Sequence, residues 1–134
     1  MNSFNHYAYG AVGEWMYRVM AGIEIDPAAP GYRHTFIQPR PGGDFTRVSA
    51  WHDAPYGRVR SSWSLEGDTF QLEIEIPANT TATVRLPAAR LAAVSEGGQP
   101  LAGSSGISRP RQDGADVVLE TGSGSYRFSY VLTR

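Results

Sequence analysis

The fold is decided by residues 59–76, which read VRSSWSLEGDTFQLEIEI. On both sides of the central Glu-Gly-Asp, apolar and polar side chains alternate with a period of two, the pattern of a β-strand with one buried face. A turn at Gly67 separates the two runs, so the stretch predicts an antiparallel hairpin. Trp63 falls in the inward register and is predicted to lie in the core, whereas Glu73 and Glu75 fall on the solvated face.

The same alternation recurs on both sides of this hairpin. Further strands are predicted at residues 34–38, 45–51, 82–86, 117–119 and 126–132. Many short strands separated by turn residues are typical of a mainly β protein, here an antiparallel β-sandwich. Residues 96–113 are rich in glycine, serine and proline, which predicts a long loop around a short strand at Ile107.

Length and composition restrict the class of protein. The chain has 134 residues, enough for one ordinary core, and a net charge of −1, which gives no basic excess for binding nucleic acid. Cysteine is absent and all 12 basic residues are arginine, which excludes disulfides, thiolate metal sites and a Schiff-base lysine. The sequence contains neither a membrane-spanning apolar run nor a signal-peptide pattern, so no membrane partner is predicted and the cytoplasm is the default location.

Residues 4–21 differ from the rest, because their apolar side chains recur at helical spacing. This pattern predicts an N-terminal α-helix that precedes the sandwich and ends at Gly22 in a left-handed conformation. A second stripe contains His6, Gly10, Gly13 and Tyr17, although glycine within a helix costs about 1 kcal/mol relative to alanine. Either another backbone approaches this stripe closely or the glycines face the chain's own sheet.

Residue types that support catalysis or metal binding are sparse. His34 and His52 share no ligand spacing with each other or with a carboxylate cluster, so no metal site is predicted. Glu14 is placed to pair with Arg18 on the helix and has no partner carboxylate for acid–base chemistry. No catalytic residue and no cofactor are therefore predicted.

Two aromatic residues leave a binding function open. Trp51 and Tyr56 flank a predicted turn and could form a platform on which a sugar ring stacks. An autonomous carbohydrate-binding module would place the two rings together on an exposed face. A structural sandwich would bury or scatter them.

Several segments resemble bacterial α-L-rhamnosidases of glycoside hydrolase family 78. The most specific is NSFNHYAYGAVGEWMY at residues 2–17. Others follow in the same order: AGI at 21–23, PGYRH at 30–34, IQPRPGG at 37–43, APYG at 54–57 and IPANTTA at 76–82. The resemblance covers about the first two-thirds of the chain, and the remainder is similar only as generic β-structure.

The resemblance implies a large multidomain enzyme in which a small β-sandwich follows an (α/α)₆ catalytic barrel. Residues 1–33 would then be the last barrel helix and a linker, and residues 34–134 the C-terminal sandwich. In such enzymes the histidine of the Asn-His-Tyr motif, here His6, is expected to contact the rhamnose. The general acid and general base are both glutamates of the barrel and would lie upstream of Met1.

The resemblance therefore predicts a non-catalytic, structural C-terminal part of an α-L-rhamnosidase. A rhamnoside would be bound only together with the barrel, so the chain alone is predicted to be inactive. The alternative is the carbohydrate-binding module described above. Because the helix at residues 4–21 would lack its barrel partners, a homodimer through this helix is also predicted as one solution.

Overall fold

The computed structural model describes residues 21–25, 34–41, 45–54 and 57–133. Apart from Ala21, the predicted N-terminal helix at residues 4–21 lies outside the described residues. Gly22 has a φ of +84°, the left-handed conformation that the sequence predicted for it. Within the described ranges, no helix has the length and apolar character needed to cross a bilayer.

The regular elements of the described residues are strands and two single-turn 3₁₀ helices, so the chain is mainly β, as predicted. The strands are β1 (Ile23–Ile25), β2 (His34–Ile37), β3 (Arg47–Ala54), β4 (Gly57–Glu66), β5 (Thr69–Ile76), β6 (Thr81–Leu86), β7 (Ser95–Glu96), β8 (Gln99–Pro100), β9 (Ile107–Asp113), β10 (Asp116–Thr121) and β11 (Gly124–Val131). The 3₁₀ helices span Leu91–Ala93 and Leu101–Gly103.

The strands form two sheets. Sheet A has the order β1-β2-β6-β10-β9, and sheet B has the order β3-β4-β5-β11-β7-β8. All pairs are antiparallel except β2 and β6, which run parallel with His34 opposite Thr81. The prediction of purely antiparallel pairing is therefore wrong for this one pair. The connection from β2 to β6 passes through three strands of sheet B, which is long enough for a parallel return.

The hairpin predicted at residues 59–76 is confirmed as β4 and β5. Glu66 pairs with Thr69 across a two-residue turn in which Gly67 has a φ of +60°. Trp63 is 1% exposed, and its ring stacks on that of Phe70 at a centroid distance of 5.7 Å. The inward-facing residues of both sheets form one core. Its largest members are Trp63, Phe70, Phe128, Ile37, Leu72, Ile74, Leu86 and Leu119.

The predicted long loop at residues 96–113 is wrong for its second half, which is strand β9. This strand lies at the edge of sheet A, where Pro110 is tolerated because one side of the strand needs no hydrogen-bond donors. Arg109 has a φ of +54°, and the pairing with β10 shifts between Val118 and Glu120. Such an irregular, largely exposed strand lacks the alternation that identifies the others.

Strand β1 was also missed by the sequence analysis. Ile23 pairs with Ile37 and Ile25 with Thr35, so β1 forms the other edge of sheet A. Three residues are too few to show a strand period. The sheet thus includes residues that the prediction assigned to the linker before residue 34.

Candidate functional site

The predicted substrate-contacting residue, His6, and one of the two platform aromatics, Tyr56, lie outside the described residues. Their roles therefore remain predictions. Glu14 and Arg18 also lie outside this part of the chain. Across the described ranges, no group of three histidine or acidic side chains is arranged to hold a metal ion.

His34 is part of a hydrogen-bonded group on sheet A. Its Nδ1 lies 2.6 Å from the Thr81 hydroxyl and its Nε2 lies 2.8 Å from the Thr83 hydroxyl. The ring also meets Phe36 edge-on, with the two centroids 5.2 Å apart. Both ring nitrogens therefore have hydroxyl partners on the neighbouring parallel strand, which adds two side-chain links to the backbone pairing of β2 with β6.

The acidic residues of sheet B form ion pairs across neighbouring strands. The Glu73 carboxylate lies 3.2 Å from the Arg127 guanidinium, and Glu75 lies 3.4 Å from Arg60. The glutamate side chains are 44% and 49% exposed, which confirms the outward face predicted for them. Exposed pairs of this kind contribute little to stability. Both glutamates and their arginine partners line one surface depression.

A second set of ion pairs stabilises the irregular edge of sheet A. Arg85 forms ion pairs with Asp113 and with Asp116, the latter at 3.0 Å. The hydrogen bonds that Arg85 donates to these two carboxylates raise the pKa of its guanidinium. Since Arg85 lies on β6 and the aspartates lie on β9 and β10, the cluster joins three strands.

Trp51 is exposed, but one face of its ring has a partner. The indole is 48% exposed, and the Arg58 Cζ lies 5.2 Å from the ring centroid in a cation–π contact. Asp53 accepts a hydrogen bond of 2.8 Å from Arg58 Nε, and this bond lowers the pKa of the Asp53 carboxyl. A carboxyl with a lowered pKa is unsuited to act as a general acid.

The structure shows one further constellation that the sequence analysis missed, where the described chain begins. The Ser61 hydroxyl is fully buried and donates a hydrogen bond of 2.7 Å to the carbonyl oxygen of Ala21. The Gln38 amide donates a bond of 2.9 Å to the carbonyl oxygen of Gly22. The sequence signal was a polar residue, Ser61, at an inward position of a strongly alternating strand.

Comparison with known proteins yields one family. A model described as the bacterial alpha-L-rhamnosidase C-terminal domain matches residues 22–100. An alpha-L-rhamnosidase of Streptomyces avermitilis is 43% identical over 129 residues, covering 96% of this chain and 12% of that protein. One from Formosa agariphila is 48% identical over 87 residues, covering 65% of this chain and 9% of that protein.

Solved structures of alpha-L-rhamnosidases are similar as well. The Streptomyces avermitilis structure, complexed with L-rhamnose, is 42% identical, has a TM-score of 0.71, and is matched over 96% of this chain and 12% of its own. The structure from Dictyoglumus thermophilum is 30% identical, has a TM-score of 0.75, and is matched over 98% of this chain and 14% of its own. The chain thus spans about an eighth of the length of these relatives.

Proposed function

We propose, from the premise that this chain belongs to the bacterial alpha-L-rhamnosidase C-terminal domain family, that it is the structural, non-catalytic sandwich of an α-L-rhamnosidase. In the longer protein, terminal α-L-rhamnosyl residues would be hydrolysed by a separate catalytic domain. The observation that carries the proposal is the match of nearly the whole chain to about an eighth of each relative.

The chemistry of the described residues supports a structural role. Inverting hydrolysis needs one carboxylic acid and one carboxylate about 6.5–9.5 Å apart on either side of the scissile bond. Glu73 and Glu75 are instead paired with Arg127 and Arg60 on a solvated sheet face. Both glutamates line one surface depression together with these two arginines, which engage the carboxylates in ion pairs.

The N-terminal residues extend the proposal. Residues 4–21 would form the last helix of the (α/α)₆ barrel, residues 1–33 the barrel remnant and linker, and residues 34–134 the sandwich. His6 would then contact rhamnose bound in the barrel. This part rests on the resemblance of residues 2–17 to the family motif. In the isolated chain, the same helix could pair with that of a second copy.

The experiment uses the Streptomyces avermitilis relative as a host. Its segment matching this chain is deleted in one variant and replaced by this chain in another, and hydrolysis of an aryl α-L-rhamnoside is measured. The proposal predicts that the deletion lowers the soluble yield and the activity and that the replacement restores both. An unrelated β-sandwich of similar size, inserted at the same point, is the control and should restore neither. A deletion variant with full yield and activity would contradict a structural role.

A carbohydrate-binding module remains the second candidate because Trp51 is 48% exposed. Its ring lies under Arg58, so a sugar could stack only on the opposite face. Isothermal titration calorimetry of the chain with rhamnose and with rhamnose-containing oligosaccharides tests this function. Saturable heat that Trp51→Ala abolishes and Trp63→Phe retains would favour the module.

A further inference from the structure

Gly22 occupies a position that no other residue could fill without rearrangement. A Cβ atom there would lie 2.1 Å from the carbonyl carbon and oxygen of Gln38, and 2.5 Å from the nitrogen of Pro39. These are backbone atoms that follow β2, so they cannot rotate away as a flexible side chain would. The φ of +84° adds a second restriction, because L side chains rarely adopt it. The two segments at Gly22 and Gln38 are therefore in direct backbone contact.

Hydrogen bonds hold this contact from two directions. From sheet A, the Gln38 amide donates to the Gly22 carbonyl oxygen at 2.9 Å, which continues the pairing of Ile23 with Ile37. From sheet B, the Ser61 hydroxyl donates to the Ala21 carbonyl oxygen at 2.7 Å. Two successive carbonyl groups are thus held by different sheets, which restrains the two peptide planes on either side of the Gly22 Cα.

The hydrogen bond between Ser61 and Ala21 lies within the apolar core. Ser61 and Ala21 are both 0% exposed, and Ala21 belongs to the apolar core of the sandwich. The neighbouring inward residues of β4, Val59 and Trp63, are apolar, so Ser61 interrupts an otherwise apolar row. A buried hydroxyl without a partner is unfavourable, and the Ala21 carbonyl, 40 residues away in sequence, satisfies it.

We propose that Ala21, Gly22, Gln38 and Ser61 form a rigid joint that fixes the direction in which the preceding residues leave the sandwich, with Ser61 as its positioning residue. The proposal rests on the proposed function in one respect: the partner that the joint orients is the domain preceding residue 21. The sandwich then acts as an orienting anchor, because both of its sheets hold the point where the chain enters it.

The test uses the absence of cysteine from the chain, which allows two spin labels to be attached at single introduced cysteines. One label replaces Arg18, shortly before the joint. The other replaces Thr69, the exposed first residue of β5. Pulsed electron resonance then measures the distribution of distances between the labels. Ser61→Ala removes the donor, and Ser62→Ala makes the same change at the adjacent residue on the opposite face of β4.

We expect a single narrow distribution in the unsubstituted chain and in Ser62→Ala, and a distribution at least twice as wide in Ser61→Ala. A second label pair within the sandwich, at Thr69 and Ser108, should stay unchanged in all three, which separates loss of positioning from general loosening. Distance distributions of equal width in Ser61→Ala and Ser62→Ala would overturn the joint. A distribution in the unsubstituted chain that is as wide as that of Ser61→Ala would overturn it as well.

Hydrogen exchange gives a measurement that does not depend on whether Ser61→Ala folds. In the unsubstituted chain, the Gln38 amide should exchange as slowly as amides in the centre of β5, such as that of Leu72. Where Ser61→Ala folds, the rate at Gln38 should rise about tenfold, the effect of losing one typical hydrogen bond. Rapid exchange at Gln38 in the unsubstituted chain would overturn the joint. It would leave the proposed structural role intact, since that role is tested by the activity of the hybrid enzyme.

Discussion

Replacing Trp63 by alanine should destabilise the sandwich more than any comparable change on its surface. Trp63 is the largest fully buried side chain of the described core, it is 1% exposed, and it stacks on Phe70. Its cross-strand neighbours Val48 and Leu72 are held in the two strands that flank β4, so they cannot collapse fully into the space it leaves.

The expected size of the effect follows from this burial. Truncating a buried aromatic side chain to alanine costs about 3–5 kcal/mol. At roughly 2.1 cal/mol/K per residue, the unfolding entropy of a 134-residue chain is about 0.28 kcal/mol/K. A loss of about 4 kcal/mol therefore lowers the melting temperature by roughly 14 °C.

Trp51→Ala is the matched control, since it removes the same side chain from the neighbouring strand. Trp51 is 48% exposed, and its contact with Arg58 is worth about 0.5–1 kcal/mol, which corresponds to roughly 2–4 °C. Thermal unfolding followed by circular dichroism compares the two variants. Equal shifts for Trp63→Ala and Trp51→Ala would refute the assignment of Trp63 to the core and, with it, the sandwich as the stable unit.

Three further predictions concern other parts of the chain. Gly67→Ala should lower the free energy of unfolding by about 1–2 kcal/mol for its left-handed conformation alone, since no atom lies within 4 Å of the added methyl. Gly22→Ala should lower it by roughly 1–3 kcal/mol more, because its added methyl also clashes with backbone. Equal unfolding midpoints of the two variants in urea would contradict the clash. Burial raises the pKa of Tyr130, so above pH 10 the folded chain keeps a proton that the unfolded chain loses, and stability should fall with rising pH. Tyr130→Phe should lower stability at pH 7 by about 1 kcal/mol, through loss of the hydrogen bond to the Pro87 carbonyl, and should flatten the alkaline fall. An alkaline slope that is the same in Tyr130→Phe would contradict the role of this tyrosine. If residues 4–21 pair between copies, light scattering should give a dimer mass that becomes monomeric on Val12→Asp; a monomer at high concentration would exclude the pairing.

The parts of the fold that were predicted correctly are those whose local pattern coincides with their burial. In β4 and β5 every second side chain enters the core, so a single-sequence period of two was sufficient. Strand β9 escaped detection because it lies at an edge, contains Pro110, and exposes most of its side chains. The parallel pairing of β2 with β6 depends on where the chain returns after sheet B, which no local pattern encodes.

The candidate site was predictable only in part for a similar reason. The inward register of Ser61 could be inferred from its neighbours, but its partner, Ala21, is 40 residues away and acts through a backbone carbonyl that has no sequence signature. The left-handed Gly22 was predicted from its place after a helical pattern, whereas its contact with Gln38 required the structure. The predicted role of His6 concerns a residue outside the described ranges and remains to be measured.

The most direct test of the central claim is whether this chain alone hydrolyses an α-L-rhamnoside. Purified chain at high concentration is incubated with p-nitrophenyl α-L-rhamnoside, and the release of p-nitrophenol is followed. A structural sandwich without a catalytic acid and base about 6.5–9.5 Å apart predicts no release above the buffer blank. A rate that scales with the concentration of protein and disappears on changing Glu14 or His6 would contradict it, because the catalytic machinery would then lie within these 134 residues.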